Sequence, residues 1–288
     1  MKAIVTHPGS AHKDDFLACC LLIHQFQVPV FRREPTEHDL SDPSIAVVDV
    51  GGVHAPEQLN FDHHQFPPEH DPICALSLVL KYLGLYTDAR QFCEWLEVAE
   101  WFDARGPFET AKWLGVDREV MGALHSPVDI TLLRRFAQRS ELREGDPIYE
   151  VMRFVGEDLV GFIRGLRERI DMIGRHASFE LIGEGIRAFE IVFLPRTQPM
   201  PEDPSSGLPR FIEEQGRSDS VIGMIYPDRR GRGYGLSRFR DNTRLDFTRI
   251  ADEPDVHFAH ARGFVAKTGS TDPKRLAELM WQAGDDIA

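Results

Sequence analysis

The sequence predicts an α/β fold: an N-terminal doubly wound, mainly parallel sheet with helices on both faces, a helical linker, and a smaller C-terminal α+β domain. Three observations carry this expectation. Short β-branched runs alternate with helical repeats over the first hundred residues, the pattern from which parallel sheets are built. Residues 107–174 are mainly helical in periodicity. From residue 178 onward, β-type runs joined by glycine-containing turns replace that periodicity. The expected division is an N-terminal domain that includes the helical linker, 1–174, and a C-terminal domain, 175–288.

In chain order, AIVTH (3–7) reads as the first strand and DDFLACCLLIHQF (14–26) as a helix whose acidic first turn complements its N-terminus. VPVFRRE (28–34) and IAVVDVGG (45–52) follow as strands, the second almost wholly apolar and therefore central. ALSLVLKYLGLY (75–86) and ARQFCEWLEVAEWF (89–102) have helical spacing. Trp95 and Trp101, on the second of these, are expected in the core rather than as a base-stacking platform. DPIYEVMRFVGEDLVGFIRGLRERIDMIG closes the helical tract. SFELIGEGIRAFEIVFLP (178–195) reads as two strands around a turn, PRTQPMPEDPSSGLP (195–209) as a loop, and SVIGMIYPD and GYGLSRFR as further strands. DPKRLAELMWQAG (272–284) reads as a closing helix.

Composition narrows the partners. With 42% hydrophobic and 27% charged residues, the 288-residue chain is foldable. A net charge of -13 argues against duplex DNA or an anionic membrane as a partner of the whole surface. Four cysteines without CxxC spacing read as buried thiols in a reducing compartment. The absence of a signal-like start and of a long apolar run leads to the expectation of a cytoplasmic protein with no membrane contact.

The chemistry-bearing residues lie at strand ends. In THPGSAHKDD, His7 follows the first strand, His12 lies in the loop and Asp14 opens the next helix. Carboxyl ends of strands face the ligand crevice of a doubly wound sheet, and imidazole with carboxylate suits Mn²⁺, Zn²⁺ or Fe²⁺. The same residues could instead cap a helix and complement its dipole. Asp49 ends an apolar strand, where burial is costly unless the charge is paired or coordinated, although a turn-capping aspartate fits equally. FDHHQ offers a ligand, a supporting carboxylate and a substrate contact. Neighbouring side chains on an extended segment point apart, so His63 and His64 are expected to play different roles. Asp103, in AEWFDARG, is either a further ligand or a loop aspartate after a helix. His24, His38, His54, His70, His125 and His176 read as surface or satisfied polar positions.

Taken in order, these stretches resemble the DHH phosphoesterase superfamily, whose four N-terminal motifs bind two divalent metals. THPGSAHKDD, with its H-x4-H-x-D spacing, is closest to the melanocyte-proliferating-gene family of metal-dependent hydrolases and differs from the H-x3-D-x-D of family II inorganic pyrophosphatases. HFAHARGF (257–264) is similar to that family's His-Ala-x-Gly-Phe segment, so the resemblance covers nearly the whole chain. It implies that His7, His12 and Asp49 hold one metal and that Asp14, His63 and Asp103 hold the other, with Asp49 bridging. It also implies that His64 lies beside the substrate phosphate while Asp62 orients its neighbours. Departures are the loose match of WFDARG, Lys13 and Asp15 in place of Cys and Glu, and Val265-Ala266-Lys267 in place of Gly-Gly-Asn-Lys. Neither Lys13 nor Asp15 is expected to be a ligand. The implied cofactors are two divalent ions, Mn²⁺ first, with Mg²⁺, Co²⁺ or Zn²⁺ as alternatives. Roughly 3.5–4 Å apart, two such ions can share a hydroxide and neutralise charge on an attacked phosphorus.

Residues 228–249 hold seven arginines against three aspartates. Arg229, Arg230 and Arg232 read as a solvated hairpin. Arg238 and Arg240 alternate with Phe239, so both are expected on one strand face, where arginine forks match phosphate oxygens. His260, Arg262 and Lys267 complete the expected substrate-binding set on the resembling C-terminal segment. The expected activity is hydrolysis of phosphoester bonds in a nucleotide or short single-stranded nucleic acid. The rival readings are a pyrophosphatase or small-nucleotide phosphatase, and a metal- and nucleotide-binding regulatory protein without turnover. The oligomeric state stays open, a homodimer included.

Overall fold

A computed structural model describes residues 1–123 and 126–284, so the expectation for His125 lies outside the described residues. The chain divides into two compact units, Met1–Gly165 and Leu166–Ala288.

The first unit contains, in order, β1 (Ala3–Thr6), α1 (Lys13–Phe26), β2 (Val30–Arg32), α2 (Glu37–Ser41), β3 (Ile45–Val48), β4 (His54–Ala55) and β5 (Asn60–Phe61). Helices α3 (Ala75–Tyr82), α4 (Tyr86–Phe92), α5 (Glu94–Leu114), α6 (Arg118–Ala123) and α7 (Pro127–Ala137) follow, then β6 (Glu141–Leu142) and α8 (Pro147–His176), within which the two units divide. The sheet order is β4-β5-β3-β1-β2-β6. β1 pairs in parallel with both β2 and β3, β3 pairs in parallel with β5, and the edge strands β4 and β6 run antiparallel. The central strands are apolar because they are covered: Ile4, Val5, Ala46, Val47 and Val48 are fully buried. From β1 the chain steps to one neighbour, β2, and then returns past it to β3 on the other side. β1 is thus the switch point, and the loops after β1, β3 and β5 share the carboxyl edge of the sheet.

Two local expectations change. α5 runs through residue 103 and bends at Gly106 (φ 75), just before Pro107, whose ring cannot continue the preceding turn. Trp95 is 43% exposed, and Trp101 stacks on Trp113 with centroids 4.9 Å apart. Neither tryptophan is core, because α5 buries only a narrow face that includes Leu96 and Glu100.

The second unit contains β7 (Ser178–Ile182), β8 (Phe189–Phe193), α9 (Leu208–Glu214), β9 (Val221–Pro227), β10 (Tyr234–Arg238), β11 (Val256–Ala259), β12 (Val265–Thr268) and α10 (Pro273–Ala283). Its sheet, β11-β12-β10-β9-β8-β7, is antiparallel except for the parallel β8–β9 pair. Ile191, Ile225, Leu236 and Ala266 from the strands pack with Leu276, Leu279 and Met280 of α10. HFAHARGF runs through β11 and the turn that leads into β12. The strand expected across 238–240 stops at Arg238: Phe239 is buried, and Arg240 and Asp241 turn with φ of 48° and 54°. Among the described residues no helix is long and apolar enough to cross a membrane, and all four cysteines are buried and outside any disulfide.

Candidate metal centre

Three adjacent parallel strands each deliver a polar residue to the same edge. His7 follows β1, Asp49 follows β3, and Asp62 and His63 follow β5. β1 is apolar up to Thr6, β3 is apolar throughout and β5 ends on the buried Phe61, so the first position free of the sheet is where a charged group can turn toward a shared centre. Asp14 arrives from the first turn of α1 and Asp103 from α5.

The Asp49 turn is built for this. Asp49 itself is left-handed (φ 60), a conformation aspartate tolerates better than most residues, and Gly51 (φ 97) and Gly52 (φ 68) continue the turn. A Cβ on Gly51 would lie 2.9 Å from Leu40 Cδ2, so the sharp reversal needs glycine there. The Asp49 N–H donates to Phe61 O, and the Gly52 N–H donates to Asp62 Oδ2 at 2.6 Å, which welds the β3 and β5 loops together.

Asp49 divides its two oxygens. Oδ2 lies 3.5 Å from His7 Nε2, and Oδ1 lies 3.2 Å from His63 Nε2. His63 Nε2 is also 2.7 Å from Asp103 Oδ2. Ligand atoms of His7, His12 and Asp49 lie within 4.8 Å of one another, as do those of Asp14, Asp49, His63 and Asp103. A third such group joins Asp49, His63 and His64. All six residues expected as metal ligands are therefore close together, in two groups that share Asp49.

The fit to cations can be judged from unmet polar atoms. Asp14, Asp15, Asp49, Asp62 and His63 are buried. Among the described residues, thirteen buried side-chain polar atoms lack a hydrogen-bond partner, and seven belong to this cluster: His7 Nε2, both Asp14 oxygens, Asp15 Oδ2, Asp49 Oδ1, His63 Nε2 and Asp103 Oδ2. His63 Nε2 is near two carboxylates yet aligned for a hydrogen bond with neither, which is the arrangement expected of groups aimed at a common ion. Electrostatics agree. Burial, then the charges of Asp49, Asp103 and Asp15, push the Asp14 carboxyl well up, and burial likewise raises Asp49. Asp15 beside His7 holds that imidazole at about 9. Burial lowers His63, but Asp103 and Asp49 outweigh it and bring it to about 10. Without a cation the centre retains protons, and ligands that must shed protons exchange them for metal.

His63 and His64 do not point apart as expected of an extended segment. The chain turns as it leaves β5, with the Phe66 N–H donating to His63 O, and the two rings lie 4.4 Å apart. His63 is buried, whereas the His64 side chain is 63% exposed. Asp62 Oδ1 accepts from His64 N at 3.1 Å and lies 2.7 Å from its Nδ1. Burial alone would raise Asp62, yet these contacts and the Gly52 N–H hold it below the usual carboxylate range.

The expected substrate residues, all in the second unit, separate. Ser237, Arg238, Asp241, Arg262 and Phe264 line a pocket of about 410 Å³. Arg238 donates to Leu245 O and to Asp241, and His260 packs against Phe264 with centroids 4.2 Å apart. Arg240 pairs with Glu213 at 2.9 Å, and Lys267 pairs with Asp228 at 2.7 Å.

The structure adds Asp15 and Arg32, neither of which the sequence marks as part of the site. Lys13 pairs with Asp129 on the surface, but Asp15 is fully buried, 3.3 Å from His7 Nε2. The available signal was position: the third residue of a helix commonly reaches back to its cap, and the His12 N–H donates to Asp15 Oδ1 at 2.7 Å.

Sequence comparison finds the resemblance independently. A family model described as an uncharacterised protein family (UPF0160) matches residues 3–71, which hold every expected ligand except Asp103. A MYG1 protein of Dictyostelium discoideum is 35% identical over 92 residues. That stretch is 28% of this chain and 27% of the relative, so the chain is matched to only about a quarter of the relative's length. Among solved structures, a pGpG-specific phosphodiesterase, PggH of Vibrio cholerae, aligns over 97% of both chains at 16% identity and a TM-score of 0.32. RecJ of Thermus thermophilus in complex with Mn²⁺ aligns over 98% of this chain and 52% of its own at 14% identity and a TM-score of 0.27.

Proposed function

We propose that this chain is a divalent-metal-dependent phosphoesterase that hydrolyses phosphoester bonds of a nucleotide or short single-stranded nucleic acid. The observation that carries the reading is the split of Asp49, one oxygen toward His7 and the other toward His63, between two groups of unmet buried ligand atoms. His7, His12 and Asp49 would hold one ion, and Asp14, His63 and Asp103 would hold a second, with Asp49 shared. Imidazole and carboxylate donors without a thiolate suit Mn²⁺, with Mg²⁺, Co²⁺ and Zn²⁺ as the competing ions. A bound pair of such ions supplies Lewis-acid polarisation of a phosphoryl oxygen, an acidified water, and compensation of developing negative charge.

The protein's own groups do the rest. Five carboxylates gathered at this centre would repel a phosphate ester in the absence of cations, so substrate binding and metal loading are coupled. Asp62 fixes the His64 ring through Nδ1, which leaves the other ring nitrogen of an exposed side chain free to hydrogen-bond a phosphate oxygen or move a proton. Arg238 and Arg262 line the pocket of the second unit and His260 packs on Phe264 in its wall, while Arg240 and Lys267 are each held by a carboxylate elsewhere on that unit.

The test is a substrate panel of pyrophosphate, a phosphomonoester, a dinucleotide and a short RNA. It is run on chelator-stripped protein reloaded with Mn²⁺, Mg²⁺, Co²⁺ or Zn²⁺. Metal-dependent release of mononucleotide from the dinucleotide or RNA is the expected result. Preference for pyrophosphate or the monoester would move the assignment to a small-molecule phosphatase. Tight metal and nucleotide binding without product under any ion would overturn turnover altogether.

A further inference from the structure

Arg32 ends β2, and its side chain is 1% exposed. Its guanidinium donates to Gly9 O at 3.3 Å, Ser10 O at 3.0 Å and Phe136 O at 3.3 Å, and lies 4.4 Å from the centroid of the Phe136 ring. Two of those carbonyls belong to the loop that carries His7 and His12. Among the described residues no other hydrogen bond reaches the Gly9 and Ser10 carbonyls, and Gly9 itself is left-handed (φ 84). The same guanidinium is 3.7 Å from Asp15 Oδ2.

Asp15 holds the two ends of that loop. Its Oδ1 accepts from the His12 N–H, and its Oδ2 sits beside His7 Nε2. His7 Nδ1 lies 2.9 Å from Pro8 O, so the imidazole is gripped on one side by its own loop and on the other by Asp15. None of these contacts goes to Asp14, His63 or Asp103.

We propose that Asp15 and Arg32 form a positioning pair that shapes the His7–His12 loop for metal binding and so governs the ion held by His7, His12 and Asp49 separately from the ion held by Asp14, His63 and Asp103. The inference rests on reading the centre as a metal site. Asp15 supplies a negative charge beside the His7 nitrogen that also faces Asp49 and ties the His12 backbone to it, and Arg32 supplies the counter-charge and the fork that fastens the loop. Groups that hold metal ligands in place typically change metal affinity by about 10–100-fold when removed. Lysine keeps the charge of Arg32 but offers one nitrogen where two loop carbonyls and Phe136 O need a planar fork, so it replaces the guanidinium only in part.

The experiment is Mn²⁺ titration by calorimetry of chelator-stripped wild type, Arg32→Met, Arg32→Lys and Asp15→Asn, with circular dichroism and a thermal melt to check each fold. Wild type is expected to take up two ions. In Arg32→Met and Asp15→Asn one of the two affinities falls by about 10–100-fold and the other stays within about threefold, with Arg32→Lys intermediate. If Arg32→Met does not fold, Asp15→Asn and Arg32→Lys carry the comparison. Two unchanged affinities, or two affinities that fall together in step with the melt, would overturn the positioning role. A wild type that binds no ion would overturn the metal reading itself, and that result is separable because it is seen before any variant is made.

Discussion

Asp14→Asn should stabilise the metal-free protein and disable the loaded one. Both Asp14 oxygens are buried without a partner, and one lies within 4.8 Å of ligand atoms of Asp49 and Asp103. At that separation and an effective dielectric constant of about 20, each like-charge pair costs about 3 kcal/mol. Protons held by His7 and His63 offset part of this, and the amide keeps a polar atom in the same place. The expected net gain in chelator is therefore about 1–3 kcal/mol, the scale of relieving an unsatisfied buried group. The pH sign follows from the raised Asp14 carboxyl: an acid held above its unfolded value costs nothing below the ordinary carboxylate range, and the cost grows as pH rises above it. The variant's advantage should accordingly shrink as pH falls toward 4. Saturating Mn²⁺, at about a hundredfold its dissociation constant, adds about 2.7 kcal/mol to whichever protein binds it. Wild type should gain this for both ions and the variant only for the ion held by His7, His12 and Asp49, so the variant's advantage falls by about 2.7 kcal/mol between chelator and metal. Urea unfolding of both proteins in both conditions is the assay. A variant less stable than wild type in chelator, or equal metal stabilisation of the two, would refute the reasoning.

Asp49→Asn keeps a residue that tolerates the left-handed turn, whereas Asp49→Ala adds about 1–2 kcal/mol of backbone strain. Both should lose Mn²⁺ in calorimetry, and only the alanine variant should show the extra loss in urea. Asp39, gripped first by the Arg33 fork and then by Thr36, is held well below the usual carboxylate range. Asp39→Asn should cost about 1–2 kcal/mol at pH 7, as losing a helix cap does. Because a lowered carboxyl stabilises only above its unfolded range, the difference from wild type should fade as pH drops below 4, and unfolding curves at pH 3 and pH 7 check this. Arg262→Ala, on the open pocket of the second unit, should raise KM for a dinucleotide severalfold with a smaller change in kcat, measured under saturating Mn²⁺.

What the sequence made legible follows the periodicity and charge cues it carries. The apolar run of Ile45–Val48 announces a central parallel strand, and the aspartate after it stands out because a charge there needs a partner. The two-residue strands β4, β5 and β6 are too short to carry any period, and they were not anticipated. The Arg238–Arg240 alternation misled because a run of three residues cannot reveal that Asp241 and Arg240 turn left-handed. The tryptophans misled because apolar spacing on α5 says which residues share a face, not whether another element covers that face.

Asp15 illustrates the harder case. Two aspartates in the first turn of a helix look alike in sequence, each a complement to the helix dipole. What separates them is depth and company: Asp14 is aimed at Asp49 and Asp103 with both oxygens unmet, while Asp15 is shared among His7, the His12 N–H and Arg32. Arg32 comes from a different strand, so no local pattern could reveal it. Its presence also bears on the charge of the centre as a whole. Five carboxylates meet one buried arginine there, and that arginine stands behind Asp15 and not at the shared edge of Asp49. The protein therefore fixes the loop with its own cation and leaves the central negative charge to be met by exchangeable protons, which is the arrangement a site needs if its remaining positive charge is to come from exchangeable ions.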